Sequence, residues 1–157
     1  MTDEEKKLLT KELSERLPHK VMILVDTDRE FDGGSVGILG GVTPYVGKNG
    51  IEEPVFYQDH CLTPLLVEEI KPYLRRMSSM TNEEKKEMHE LLSPEGTAEY
   101  KHDGISTPVS HYGDFIPYEY MDRVIDWLRA RHFDIRGLID KGLAIDVDKE
   151  EFNPYKK

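Results

Sequence analysis

The chain has 157 residues, the size of one domain rather than two. Its 31 acidic against 21 basic residues leave a net charge of -10, which repels phosphate backbones and anionic lipid and argues against nucleic acid or membrane as partners. No run approaches the roughly 18 apolar residues of a membrane helix, the first residues lack the apolar core of a signal peptide, and the single cysteine, Cys61, excludes an internal disulfide, so one cytoplasmic domain is expected.

In chain order, Thr2-Asp3-Glu4-Glu5 has the form of a capping box, in which hydroxyl and carboxylate each accept the other residue's free N–H. A helix is expected over residues 3–16, with Leu9, Leu13 and Leu17 on one face, Glu12 and Arg16 paired on another, and Pro18 closing it. Residues 21–25, apolar and rich in β-branched side chains, read as a buried strand. The stretch from there to Gly50 holds seven glycines around the apolar runs 36–39 and 42–46, which suits a loop or an irregular hairpin; Val55-Phe56-Tyr57 adds another strand. Thr63-Pro64 supplies an N-cap and a proline preset for the first helical position, so a short helix is expected through Ile70, ended by Pro72.

Thr81-Asn82-Glu83-Glu84 repeats the capping box and predicts a helix over 82–92 with Met88, Leu91 and Leu92 inward. The likeness of this segment to the first seven residues is shared cap chemistry rather than an internal repeat. Residues 94–116 lack a steady period and read as a long loop with one strand near 106–109. From Pro117 to about His132, Met121, Val124, Ile125 and Leu128 follow helical spacing, widened by Trp127. Asp134 can cap a shorter helix over 135–141, Gly142 can end it in the left-handed conformation, and Leu143, Ile145 and Val147 alternate as a strand does. A frayed tail is expected over about 148–157. The sum is an α+β domain, with three or four helices packed as a single layer pair on a small antiparallel or mixed sheet.

Two blocks, Lys71-Pro72-Tyr73-Leu74-Arg75-Arg76-Met77-Ser78-Ser79-Met80-Thr81 and the run from His132 to Ala144, resemble a group of small uncharacterised proteins from gut bacteria and their mobile elements, including prophages. The segment from Met1 to Pro18 is similar to them too. The resemblance implies an accessory role for a phage or mobile element and carries no catalytic residue.

Several constellations of residues bear on chemistry. The strand 21–25 followed by Asp26-Thr27-Asp28 resembles the Asp-x-Asp loop of haloacid dehalogenase-like phosphatases, but Glu30 departs from that pattern, and a strand ending in a solvated turn is the plainer reading. As a calcium loop the same acids fail, because Phe31 stands where glycine must turn the chain. Residues 41–48 lack the spacing and the Ser or Thr of a phosphate loop. His60 and Cys61 are adjacent, so in an extended chain they face opposite ways and His60 does not readily activate the thiol. His102, His111 and Asp114 are candidate metal ligands if their loop folds back, although exposed polar residues of a loop look the same.

Positive charge gathers in the resembling blocks at Arg75, Arg76, Arg129, Arg131, His132 and Arg136. One reading makes Arg75, Arg76, Arg131, His132 and Arg136 an anion or partner site, because guanidinium groups grip carboxylate and phosphate with two parallel bonds. The other has them paired internally with acids such as Asp126, Asp134 and Asp140. No motif calls for a cofactor, and no catalytic set is dictated. The leading expectation is a non-enzymatic accessory protein that binds a protein partner. The alternative is a small hydrolase or metal-dependent enzyme drawing on Asp26, Asp28, His60, Cys61, His102, His111 and Asp114. An acidic mimic of nucleic acid fits less well, because lysine is mixed with glutamate in both capped helices.

Overall fold

The computed structural model describes residues 1–25, 35–46, 52–61, 63–92 and 118–155. Within them the chain is α+β. Three α-helices, α1 (Asp3–Arg16), α2 (Asn82–Leu92) and α3 (Tyr118–Ala130), accompany β1 (Met22–Val25), β2 (Ser35–Val46), β3 (Glu52–Gln58), β4 (Ile70–Leu74) and β5 (Ile145–Asp146). The five strands form a mixed sheet in the order β3-β2-β1-β4-β5, antiparallel at every step except β4 to β5.

Both capping boxes form. Thr2 Oγ1 accepts from Glu5 N at 3.2 Å while Glu5 Oε2 accepts from Thr2 N at 2.7 Å, and Thr81 and Glu84 do the same at 3.1 and 2.9 Å. Leu9 and Leu13 of α1 pack into a core with Ile23, Phe56, Ile70 and Leu74. Burying each such side chain contributes about 1.5–3 kcal/mol, so this cluster is the main source of stability for the sheet.

β2 is one continuous strand where the glycines predict a loop or irregular hairpin. Its pairing with β3 shifts register between Leu39 and Gly41. A Cβ on the intervening Gly40 would stand 2.8 Å from both the N and the Cα of Asp59, so glycine here lets the two chains close and Asp59 N reach Ile38 O at 2.7 Å.

β3 lies at the sheet edge. Phe56 turns its N–H and C=O outward, where both bond Leu65 at 2.9 and 2.8 Å. By strand alternation Pro54 and Gln58 face the same way. Pro54 has no N–H to offer, and the Gln58 carbonyl takes Cys61 N at 3.0 Å.

The helix expected from Thr63-Pro64 to Ile70 does not form. Leu65 instead bridges to Phe56, a short 3-10 turn covers Val67–Glu69, and Ile70 opens β4. Pro72 sits inside that strand and not at a helix end; its missing N–H is tolerated because the ladder to β5 begins only at Tyr73. The helix expected over 135–141 is likewise a series of turns. Asp134 does cap, accepting from Leu138 N at 2.9 Å and Ile139 N at 2.8 Å, and Gly142 takes the expected left-handed conformation at φ 71°, but Gly137 at φ 68° interrupts the helical repeat. The predicted alternation of Leu143, Ile145 and Val147 shrinks to the two residues of β5.

One shared interior was the expectation from size; two apolar clusters are present. Beside the sheet core, Val124 and Leu128 of α3 gather with Met80 and Phe133, and Met88, Leu91 and Trp127 pack around them. The expected fraying of 148–157 does not extend to Tyr155, whose hydroxyl accepts from Met22 N at 3.0 Å and donates to Tyr73 O at 2.8 Å. The loop predicted over 94–116, with its strand near 106–109, lies outside the described residues.

Candidate functional site

The basic residues singled out in the sequence lie along the joint between the two clusters, each engaged with a carboxylate or an aromatic ring. Glu12 and Arg16, one turn apart on α1, are fully buried. Arg16 Nε donates to Glu12 Oε1 at 2.7 Å and Arg16 Nη2 to the Phe133 carbonyl at 2.5 Å. The second Glu12 oxygen takes Arg136 Nε at 2.6 Å; Arg136 also reaches Glu15 at 2.8 Å, and Arg129 shares that same Glu15 oxygen. Burial pulls the Arg16 pKa below its ordinary value against the pull of Glu12, yet a guanidinium keeps its charge. For Arg136, burial works the other way from its partners, and the bonds to Glu15 and Glu12 win and raise its pKa.

Arg75 grips Glu84 of α2 with two bonds, at 2.6 and 3.0 Å, and lies over the Phe133 ring at 4.4 Å. The hydrogen bond from Arg75 holds the Glu84 pKa down, so one carboxylate both caps α2 and ties it to the end of β4. Arg76 reaches Asp146 at 2.6 Å and Asp140 at 2.7 Å, joining the end of β4 to the segment around β5. Arg131 covers the Trp127 ring at 4.0 Å and reaches Glu87 at 2.5 Å. His132 stacks on Tyr155, with ring centroids 3.8 Å apart. These five residues therefore stand in separate pairings. Of the acids anticipated as partners, Asp140 does pair with an arginine, Asp126 takes His19 at 3.1 Å, and Asp134 is spent on backbone N–H groups.

His60, in a turn after β3 at φ 63°, is almost fully exposed and 3.4 Å from Asp59; the neighbouring Cys61 is half-buried. Asp26, Asp28, His102, His111 and Asp114 lie outside the described residues. Among the described residues no group of three His, Cys, Asp or Glu side chains is arranged to hold a metal ion.

An open groove of about 520 Å³ lies between α1 and the β3 edge. Lys6, Lys7 and Lys11 line its helix side, and Glu53, Pro54 and Glu68 its other side. Lys6 crosses it to Glu68 at 3.1 Å. A smaller hollow of about 340 Å³ shares Glu53 and Pro54, so the two concavities meet at the β3 edge. Sequence reasoning missed this groove. The lysines are legible as one polar face of α1, but the opposing wall comes from residues about fifty positions away. Neither a family model, nor a curated protein, nor a solved structure matches this chain, so the functional reading rests on side-chain geometry.

Proposed function

We propose that this domain works by binding a protein partner, as an accessory factor of a phage or other mobile element, and that the groove between α1 and β3 receives the partner. The observation that carries the reading is the lining of the groove: lysines of α1 face Glu53 and Glu68 across an open channel whose floor includes Pro54, Leu66 and Val67. Such a surface selects partners by charge layout and registers them, which is recognition rather than turnover. The resemblance of three segments to small proteins of gut bacteria and their prophages supports the accessory role. The same reading takes the chain as a single cytoplasmic domain whose helices form one layer on the sheet. The net charge of -10 supports a protein partner over nucleic acid or membrane.

The test is affinity capture from the native host with three forms of the tagged protein: wild type, the groove variant Lys7→Glu/Lys11→Glu, and a control variant Lys85→Glu/Lys86→Glu on the exposed face of α2. A stoichiometric partner held by wild type and control but lost by the groove variant is the expected result. Equal capture by all three forms would rule out the groove, and capture by none would rule out the binding role.

A further inference from the structure

The clearest unexplained arrangement surrounds Tyr155. The antiparallel register Ile23 to Pro72, Leu24 to Lys71 and Val25 to Ile70 puts Met22 opposite Tyr73 as the next pair. At that pair the Tyr155 hydroxyl stands between the strands, accepting from Met22 N at 3.0 Å and donating to Tyr73 O at 2.8 Å. It bridges the ladder where β1 and β4 part. Beyond it the β4 chain takes a new neighbour, with Arg75 N donating to His132 O at 2.8 Å and Asp134 N to Arg75 O at 2.7 Å. Asn153 Oδ1 accepts from Tyr155 N at 2.9 Å, a turn that presents the ring to this slot.

The floor of the slot is His132, held at φ 62° and stacked on Tyr155 with 9° between the rings. Its Nδ1 is buried and has no hydrogen-bond partner among the described residues. The charged and titratable groups facing it are Arg16 from α1, His19 from the turn after α1, Arg75 from the end of β4, and the phenol of Tyr155, which burial keeps neutral. The acids nearest these cations are already taken, Glu12 by Arg16 and Arg136, Asp126 by His19, and Glu84 by Arg75. Burial, followed by the charges of Arg16, His19 and Arg75, holds the His132 pKa at about 4.

We propose that the segment ending at Tyr155 is an acid-released strap: protonation of His132 drives Tyr155 out from between β1 and β4 and opens that end of the sheet. An imidazolium stacked on a phenol ring gains some attraction from the ring face. That gain is opposed by loss of solvent and by the charges of Arg16, His19 and Arg75, and among the described residues the nearby carboxylates are already paired. Because the folded state disfavours the proton, the strap is fully held above the ordinary histidine pKa of 6.5 and is lost as the pH falls through about 4.

The test follows the Met22 and Tyr155 amides by hydrogen exchange, corrected for intrinsic rate, between pH 7 and pH 3.5, with the His132 ring protons titrated by NMR in the same samples. Wild type should lose at least tenfold protection at both amides with the midpoint of the His132 titration, while the Ile23 and Leu74 amides stay protected. His132→Asn, which tolerates the left-handed backbone and cannot charge, should keep its protection throughout. Constant wild-type protection, an equal loss in His132→Asn, a His132 midpoint near 6.5, or loss only together with the core amides would each overturn the strap. The ring titration is read on wild type, so the outcome stands even if the variant fails to fold.

Discussion

The sheet with α1 and the pair α2–α3 are held by different forces. In the first, Leu9, Leu13, Ile23, Phe56 and Ile70 share one apolar interior, and stability comes from area removed from water. In the second, a smaller cluster around Phe133 joins α2 to α3, while part of the tie to the sheet and α1 is ionic: Arg136 with Glu12, Arg129 and Arg136 with Glu15, Arg75 with Glu84. These pairs are partly exposed and each adds little net stability, but as a connected set with buried Glu12 they restrict how the two regions sit. The ionic joint thus fixes where α2–α3 sits more than how strongly it is held.

The comparison breaks most sharply at Arg16. Arg16→Ala leaves buried Glu12 with Arg136 as its remaining cation and the Phe133 carbonyl without its donor, and should cost about 3 kcal/mol by chemical denaturation, whereas Glu12→Leu/Arg16→Met should lose less. A loss under about 1 kcal/mol for the single variant would mean the joint is solvated and does not hold the two regions in place. On the sheet side, Gly40→Ala forces β2 away from Asp59 and should cost about 1–3 kcal/mol, with hydrogen exchange rising along β2 and β3 before it rises in α3. The smallest effect is a pH dependence. The pairing with Arg75 lowers the Glu84 pKa below its ordinary 4.5, so its contribution is complete above that value and is lost as the pH falls through the lowered pKa. Arg75→Met should flatten that part of the stability curve in acid denaturation, and an unchanged curve would remove Glu84 from the joint.

What the sequence made legible is what neighbours in the chain decide. The boxes at Thr2 and Thr81 are complete within four residues, and both helices start where they predict. The strand β1 is legible as a short β-branched run for the same reason. The segment 63–74 was misread because Thr63-Pro64 and Pro72 are local helix signals, while the partners that make it strand, Leu65 to Phe56 and Tyr73 to Ile145, lie elsewhere in the chain. The charge layout shows the same divide. Glu12 and Arg16 look like an ordinary surface pair one turn apart, and only Arg136, Arg129 and the Phe133 carbonyl, all more than a hundred residues on, turn that pair into a buried joint. The anchoring of Tyr155 by Met22 and Tyr73 was hidden by the same separation.

The outer rim of β3 has a consequence for assembly. From Pro54 to Gln58 its outward positions are a proline, a residue already bonded on both sides, and a carbonyl already filled, so an incoming strand finds an interrupted row of donors and acceptors there. Addition of a further strand along this part of the rim is therefore hindered by main-chain chemistry. Any molecule that docks there must be read by its side chains.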